Sequence, residues 1–124
     1  MSHFTRIRTK LRNITTVQRA LEDLGYNVQE DGKVRGYGGG QTNADLVVTM
    51  GGQYDVGFSQ QKTGEVLMVA DLWGLKIDKN TFLNQINQRY AYFTVMEQAE
   101  AQGFQVTTEE NQQDGSIRLV MQRW

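Results

Sequence analysis

Residues 44–71, ADLVVTMGGQYDVGFSQQKTGEVLMVAD, contain three apolar runs separated by Gly51-Gly52 and by Lys62-Thr63-Gly64. Each run is too short for a helix, carries β-branched or aromatic residues, and ends in turn formers. Three such runs in succession predict an antiparallel meander. Periodic helical segments on either side of it make the fold class α+β.

Upstream, YNVQEDGKVRG (26–36) reads as two short extended runs around Asp31-Gly32, the pair that a type I′ hairpin turn requires. Before it, Thr15 and Gln18 make a T-x-x-Q capping box, and Ile14, Val17, Leu21 and Leu24 recur at helical spacing. A helix over 15–24 follows, with Gly25 as its left-handed stop. Residues 3–11, HFTRIRTKL, have period two: Thr5, Ile7, Thr9 and Leu11 share one face, while Arg6, Arg8 and Lys10 share the other.

Downstream, Asp78 or Asn80 can cap a second helix of about 20 residues. Phe82, Ile86, Tyr90, Phe93 and Met96 form its apolar stripe as far as Gly103. FQVTTEE and SIRLVMQ then predict a last hairpin around Asn111–Gly115. If EVLMVAD is taken as the strand before this helix, each half reads βαββ with an inserted hairpin between them. That pseudo-repeat predicts one continuous antiparallel sheet with both helices on one face, in a single domain spanning 1–124.

Composition narrows the chemistry. With 39% hydrophobic and 22% charged residues the chain can bury a core. Cysteine is absent and His3 is the only histidine, which removes disulfides, thiolate chemistry, cysteine-ligated metals and most histidine triads. Neither a cofactor nor a metal is assigned. No run approaches the roughly 18 apolar residues of a membrane span, and the start MSHFTRIRTKLR lacks the apolar segment of a secretory signal. The expected location is therefore cytoplasmic. The formal charge of −1 hides an uneven split, because Arg6, Arg8, Lys10 and Arg12 precede any acid.

The start SHFTRIRTKLRN leading into ALEDLGY, then YDVGF, VADLWG, and QINQRYAY leading to EQAEAQGF resemble an uncharacterised family encoded in cyanobacteria and algal plastid genomes, the domain of unknown function numbered twelve fifty-seven. The resemblance covers nearly the whole chain. It implies a cyanobacterial cytoplasm or plastid stroma and carries no catalytic or cofactor residues with it. Some bacterial members of that family are encoded beside an ATPase of the AAA type, which implies accessory work in a larger machine.

Three features are candidate sites. GYGGGQTNAD (36–45) looks like a phosphate loop, but it leads into a strand and no Lys-Ser or Lys-Thr follows the glycines. It reads instead as a mobile connector or partner-contacting loop presenting Tyr37 and Gln41. The basic strand, with Arg6, Arg8 and Lys10, suits an acidic partner or phosphates, or is an edge kept soluble by charge. The third is an aromatic and acidic group of Asp71, Trp73, Tyr90 and Tyr92: Trp73 follows the strand that ends in Asp71, and Tyr92 lies about 200° around the helix from Tyr90, so one tyrosine points away from the other's packing. Tyr92 with Val95 and Ala99 makes a second apolar stripe fit for a partner helix or a second copy.

Paired carboxylates for acid–base work are not found: if Tyr54, Val56 and Phe58 face inward, Asp55 faces water and has no raised pKa to use. The chain therefore reads as a non-enzymatic accessory or assembly protein. Its expected partner-binding residues are Arg6, Arg8, Lys10, Tyr37, Gln41, Trp73 and Tyr92. The alternative is nucleic-acid or nucleotide binding through the basic strand and glycine loop.

Overall fold

The computed structural model describes residues 3–123. Strands β1 (Phe4–Arg8), β2 (Val28–Arg35), β3 (Gln41–Thr49), β4 (Asp55–Gln60) and β5 (Val66–Asp71) form one antiparallel sheet in the order β1-β5-β4-β3-β2. The meander expected of residues 44–71 is its centre, with β1 and β2 as its edges. Helix α1 (Ile14–Asp23) carries the chain from one edge to the other across one face. Helix α2 (Lys79–Ala101) follows β5, and β6 (Phe104–Asn111) with β7 (Ile117–Arg123) ends the chain.

Alternate strand residues face the helices. Leu46, Val48, Val56, Phe58, Val66, Met68 and Ala70 form one core with Val17 and Leu21 of α1 and Phe82 and Ile86 of α2. Both helices thus lie on one face, as expected. The cap of the first lies two residues earlier than the capping box implied: Asn13 Oδ1 accepts from the amides of Thr15 and Thr16 at 3.0 and 3.2 Å. An asparagine ahead of the threonines satisfies two orphan amides, which leaves Thr15 inside the first turn. The second helix uses Asp78, which accepts from Asn80 N and Thr81 N at 3.1 and 3.2 Å.

Two expectations need correction. Residues 28–35 are a single strand, not a hairpin: pairing with β3 runs from Val28↔Val48 to Arg35↔Gln41. Asp31 takes φ +49°, but Gly32 does not enter the left-handed region, and a type I′ turn needs both. A long partner strand satisfies backbone groups along the whole segment, which two three-residue arms could not do. The sheet is also not continuous through the C-terminus, since among the described residues β6 and β7 pair only with each other. β1 already holds the place beside β5, and the 23-residue α2 carries the chain about 35 Å onward. Ile117, Leu119 and Met121 alternate with exposed residues along β7, and the hairpin rests on α2.

The face away from the helices is covered as well. The sheet twists until β2 touches β4 and β5, and Val34, Ala44, Val47 and Val69 pack together with Phe4. Gly57 sits at the centre, where an added Cβ would overlap Val34 Cγ2 and lie 2.7 Å from Ala44 Cβ. Asp55 belongs to this second face and is only 3% exposed, which overturns the expectation that it meets water. Alternation placed it opposite Val56 correctly. What covers that face is the curled β2.

Candidate functional site

Asp71 ends β5 on the second face and is fully buried. Its Oδ2 accepts from the amides of Tyr37 at 2.9 Å and His3 at 3.3 Å, and its Oδ1 accepts from that of Gly74 at 3.3 Å. One carboxylate therefore ties together the segment before β1, the glycine loop and the β5–α2 connection. Burial pushes this carboxyl up, but the amides of Tyr37, His3, Gly74 and Trp73 together outweigh it and hold it below the usual range. Among the described residues no cation pairs with it.

The glycine loop is built around this group. Tyr37–Gly39 form a 3-10 turn with Gly38 at φ +68° and Gly39 at +78°, closed by Gly36 N donating to Gly40 O at 2.8 Å. At Gly36 an added Cβ would meet the Phe4 ring at 2.8 Å and Asp71 Oδ2 at 3.2 Å, so a larger residue would have to push the ring aside. The amide that leads this turn is already committed to Asp71, and the loop's anion is the protein's own.

On top of the carboxylate sit three rings. Trp73 meets His3 edge-on at 5.3 Å and Tyr37 at 5.7 Å, and it stays 70% exposed, with Tyr37 at 48%. The structure thus brings Tyr37 and Trp73, predicted from distant segments, into one patch. His3 joins them, which its isolation in sequence gave no reason to expect.

The other predicted residues lie elsewhere. Gln41 borders a cleft of about 310 Å³ with Arg35, Gly36, Gly39, Gly40 and Gln53. There Arg35 grips Asp55 through two bonds, Nε to Oδ2 at 2.8 Å and an Nη to Oδ1 at 2.9 Å. Burial raises the Asp55 carboxyl, yet the guanidinium and the Arg35 amide hold it below the ordinary value. Arg8 pairs with Glu65 at 3.1 Å, whereas Arg6 and Lys10 have no partner among the described residues. Arg8 and Lys10 flank a groove of about 480 Å³ between β1 and α2, whose other wall carries Asn80, Asn84 and Asn87. The i, i+4, i+7 spacing of these asparagines was readable in the sequence as one helix stripe.

Tyr92 lies at the junction of α2 with the C-terminal hairpin. Its hydroxyl donates to Glu109 at 2.7 Å, which together with burial raises its pKa. Arg89 stacks over its ring at 4.5 Å. Val95 lines a cavity of about 260 Å³ beside Ile117 and Leu119, so part of the second stripe faces this chain's own β7. Tyr90 instead joins the main core, its hydroxyl accepting from the amides of Asn13 and Arg12 at 3.1 and 3.2 Å. Tyr92→Phe is expected to speed amide exchange across β6, with less than about 1 kcal/mol change in global stability. Exchange mapped by mass spectrometry checks this, and unchanged protection of β6 would refute it.

Among the described residues no group of three or more histidine, aspartate or glutamate side chains is placed to hold a metal ion, and no helix is long and apolar enough to cross a membrane.

Residues 20–120 match the family described as Protein of unknown function (DUF1257). The chain belongs to that family. It is 35% identical to the uncharacterised protein ycf35 of Guillardia theta, over 100% of this chain and 98% of the relative. The ycf35 proteins of Cyanophora paradoxa and Pyropia yezoensis are each 33% identical over the same shares. No solved structure matches the chain. The DUF1257 match takes in the glycine loop, Asp71, Trp73 and α2, and begins after β1.

Proposed function

We infer that this DUF1257 chain is a non-enzymatic accessory or assembly protein that works by holding a protein partner. The setting is the cytoplasm of a cyanobacterium or the plastid stroma, and the family resemblance points to an AAA-type ATPase system as the machine it serves. The observation that carries this reading is Trp73: a large ring left 70% exposed although Asp71 and its amides hold its surroundings in place. An exposed, pre-ordered tryptophan flanked by tyrosine has the character of an interface hot spot, and little conformational entropy remains to be lost when a partner covers it. Arg6 and Lys10, both unpaired among the described residues, offer a charged rim for steering.

Trp73→Ala is expected to abolish co-purification of the partner from native cells, measured as at least a tenfold drop in recovery, while far-UV circular dichroism and the melting midpoint stay close to wild type. Recovery of the same partner at wild-type level by the variant would sink the proposal. The unpaired Arg6 and Lys10 also favour a second reading, nucleic-acid binding along β1. On that reading affinity falls steeply with salt as condensed counterions are released.

A further inference from the structure

We propose that the groove between β1 and α2 binds an extended acidic segment of a partner protein, which adds to the sheet as a strand beside β1. The proposal rests on the partner reading above but uses a different surface from Trp73.

Four observations support it. β1 is an edge strand, so the backbone groups on its outer side have no strand partner. An edge of five residues, about 17 Å long, is enough to pair with a short extended peptide. Natural edges are commonly blunted by charge, and here Arg6 and Arg8 on β1 do so in a single sign, with Lys10 just past the strand at the groove and, among the described residues, Glu65 the only acid lining it. Such a row repels a second basic strand, β1 of another copy included, and accepts an acidic one.

The facing wall is the fourth. Asn80, Asn84 and Asn87 project into the groove from one stripe of α2, and among the described residues none of their side-chain amides has a partner. Asparagine is a weaker helix former than the alanine, glutamate or lysine usual on an exposed stripe. Each amide both donates and accepts, as a peptide group does, so a row of them can pair with an extended backbone whatever its side chains. Leu83 lies among them and offers an apolar contact to alternate residues. Cations would then select acidic side chains while edge and amides select extended backbone.

The test uses the full chain and a fluorescein-labelled peptide of alternating Glu and Val, followed by anisotropy at about 150 mM salt. Saturable binding below about 100 μM is expected, with amide shifts in β1 and in the Asn84 side chain by NMR. A peptide with Lys in place of Glu, and a Glu-Val peptide N-methylated at alternate residues, should each bind at least tenfold more weakly. The Arg6→Glu, Lys10→Glu double variant and the Asn84→Ala variant should weaken the Glu-Val peptide without changing the melting midpoint.

No saturable binding up to 1 mM peptide, roughly ten times the expected limit, would overturn the proposal, as would equal affinity for the N-methylated peptide. A single-stranded oligonucleotide that displaces the peptide and binds more tightly would assign the groove to nucleic acid instead. The Trp73→Ala recovery assay is independent of all these outcomes, so either idea can fail alone.

Discussion

Asp71→Ala is expected to destabilise the protein by roughly 2–4 kcal/mol, because the amides of His3, Tyr37 and Gly74 lose their common acceptor. Asp71 is shielded from solvent by a thin layer of loop, not by a deep interior, so water can reach some of the freed amides and the loss stays below that of a deeply buried ion. The glycine loop and the segment before β1 should then exchange amide protons much faster, and Trp73 fluorescence should shift as its neighbours move.

The pH dependence has a definite sign. A carboxyl whose folded pKa is lowered adds stability above its unfolded pKa, near 4, and that stability is lost as pH falls through the folded value. Asp55 is lowered too and adds to the loss. The gap between wild type and Asp71→Asn should accordingly be largest near neutrality and shrink below about pH 4. Denaturant midpoints at pH 7 and pH 3 check this. A gap that stays constant or grows on acidification would show that Asp71 is not held ionised by the loop.

Gly57→Ala is expected to cost about 2–3 kcal/mol, although alanine is otherwise acceptable in a strand. The added methyl would sit on Val34 Cγ2, 2.7 Å from Ala44 Cβ and 2.9 Å from Val69 Cγ1, and these side chains on neighbouring strands cannot move apart without opening the sheet. Val34→Ala alone should also destabilise, by leaving a cavity. In the double variant the two changes should compensate, with a favourable coupling of more than about 1 kcal/mol. Strict additivity in a double-mutant cycle would mean that Gly57 is not pressed by Val34.

Periodicity made the meander, the two helices and their shared face readable, because strand and helix spacing are properties of adjacent residues. Val56 and Phe58 alternate with Asp55 and Gly57, and Phe82, Ile86 and Phe93 recur at helical spacing, whatever else the chain does. Turn chemistry was less dependable. Asp31-Gly32 has the composition of a tight hairpin, but β3 offers a longer ladder and overrides it.

The site was legible only as separate pieces. Tyr37 and Trp73 could be singled out as exposed aromatics, but nothing local says that they meet, since the meander between them must first fold. Asp71 was noted as part of an aromatic and acidic group, yet its role comes from the distant amides of His3 and Tyr37. Arg35 and Asp55 were likewise unpairable by inspection, because β2 has to curl over β4 before the guanidinium reaches the carboxylate.

By itself the sequence determined the strands of the meander, the two helices, the absence of cysteine chemistry, and the basic character of β1. Tertiary structure alone decided that the second face is covered, that the glycine loop holds an internal carboxylate, and that the C-terminal hairpin stands apart from the sheet. The physical reason is range. Side-chain periodicity is fixed within a few bonds, whereas burial, pKa and hydrogen-bond partners depend on which distant surfaces the folded chain brings within a few ångströms.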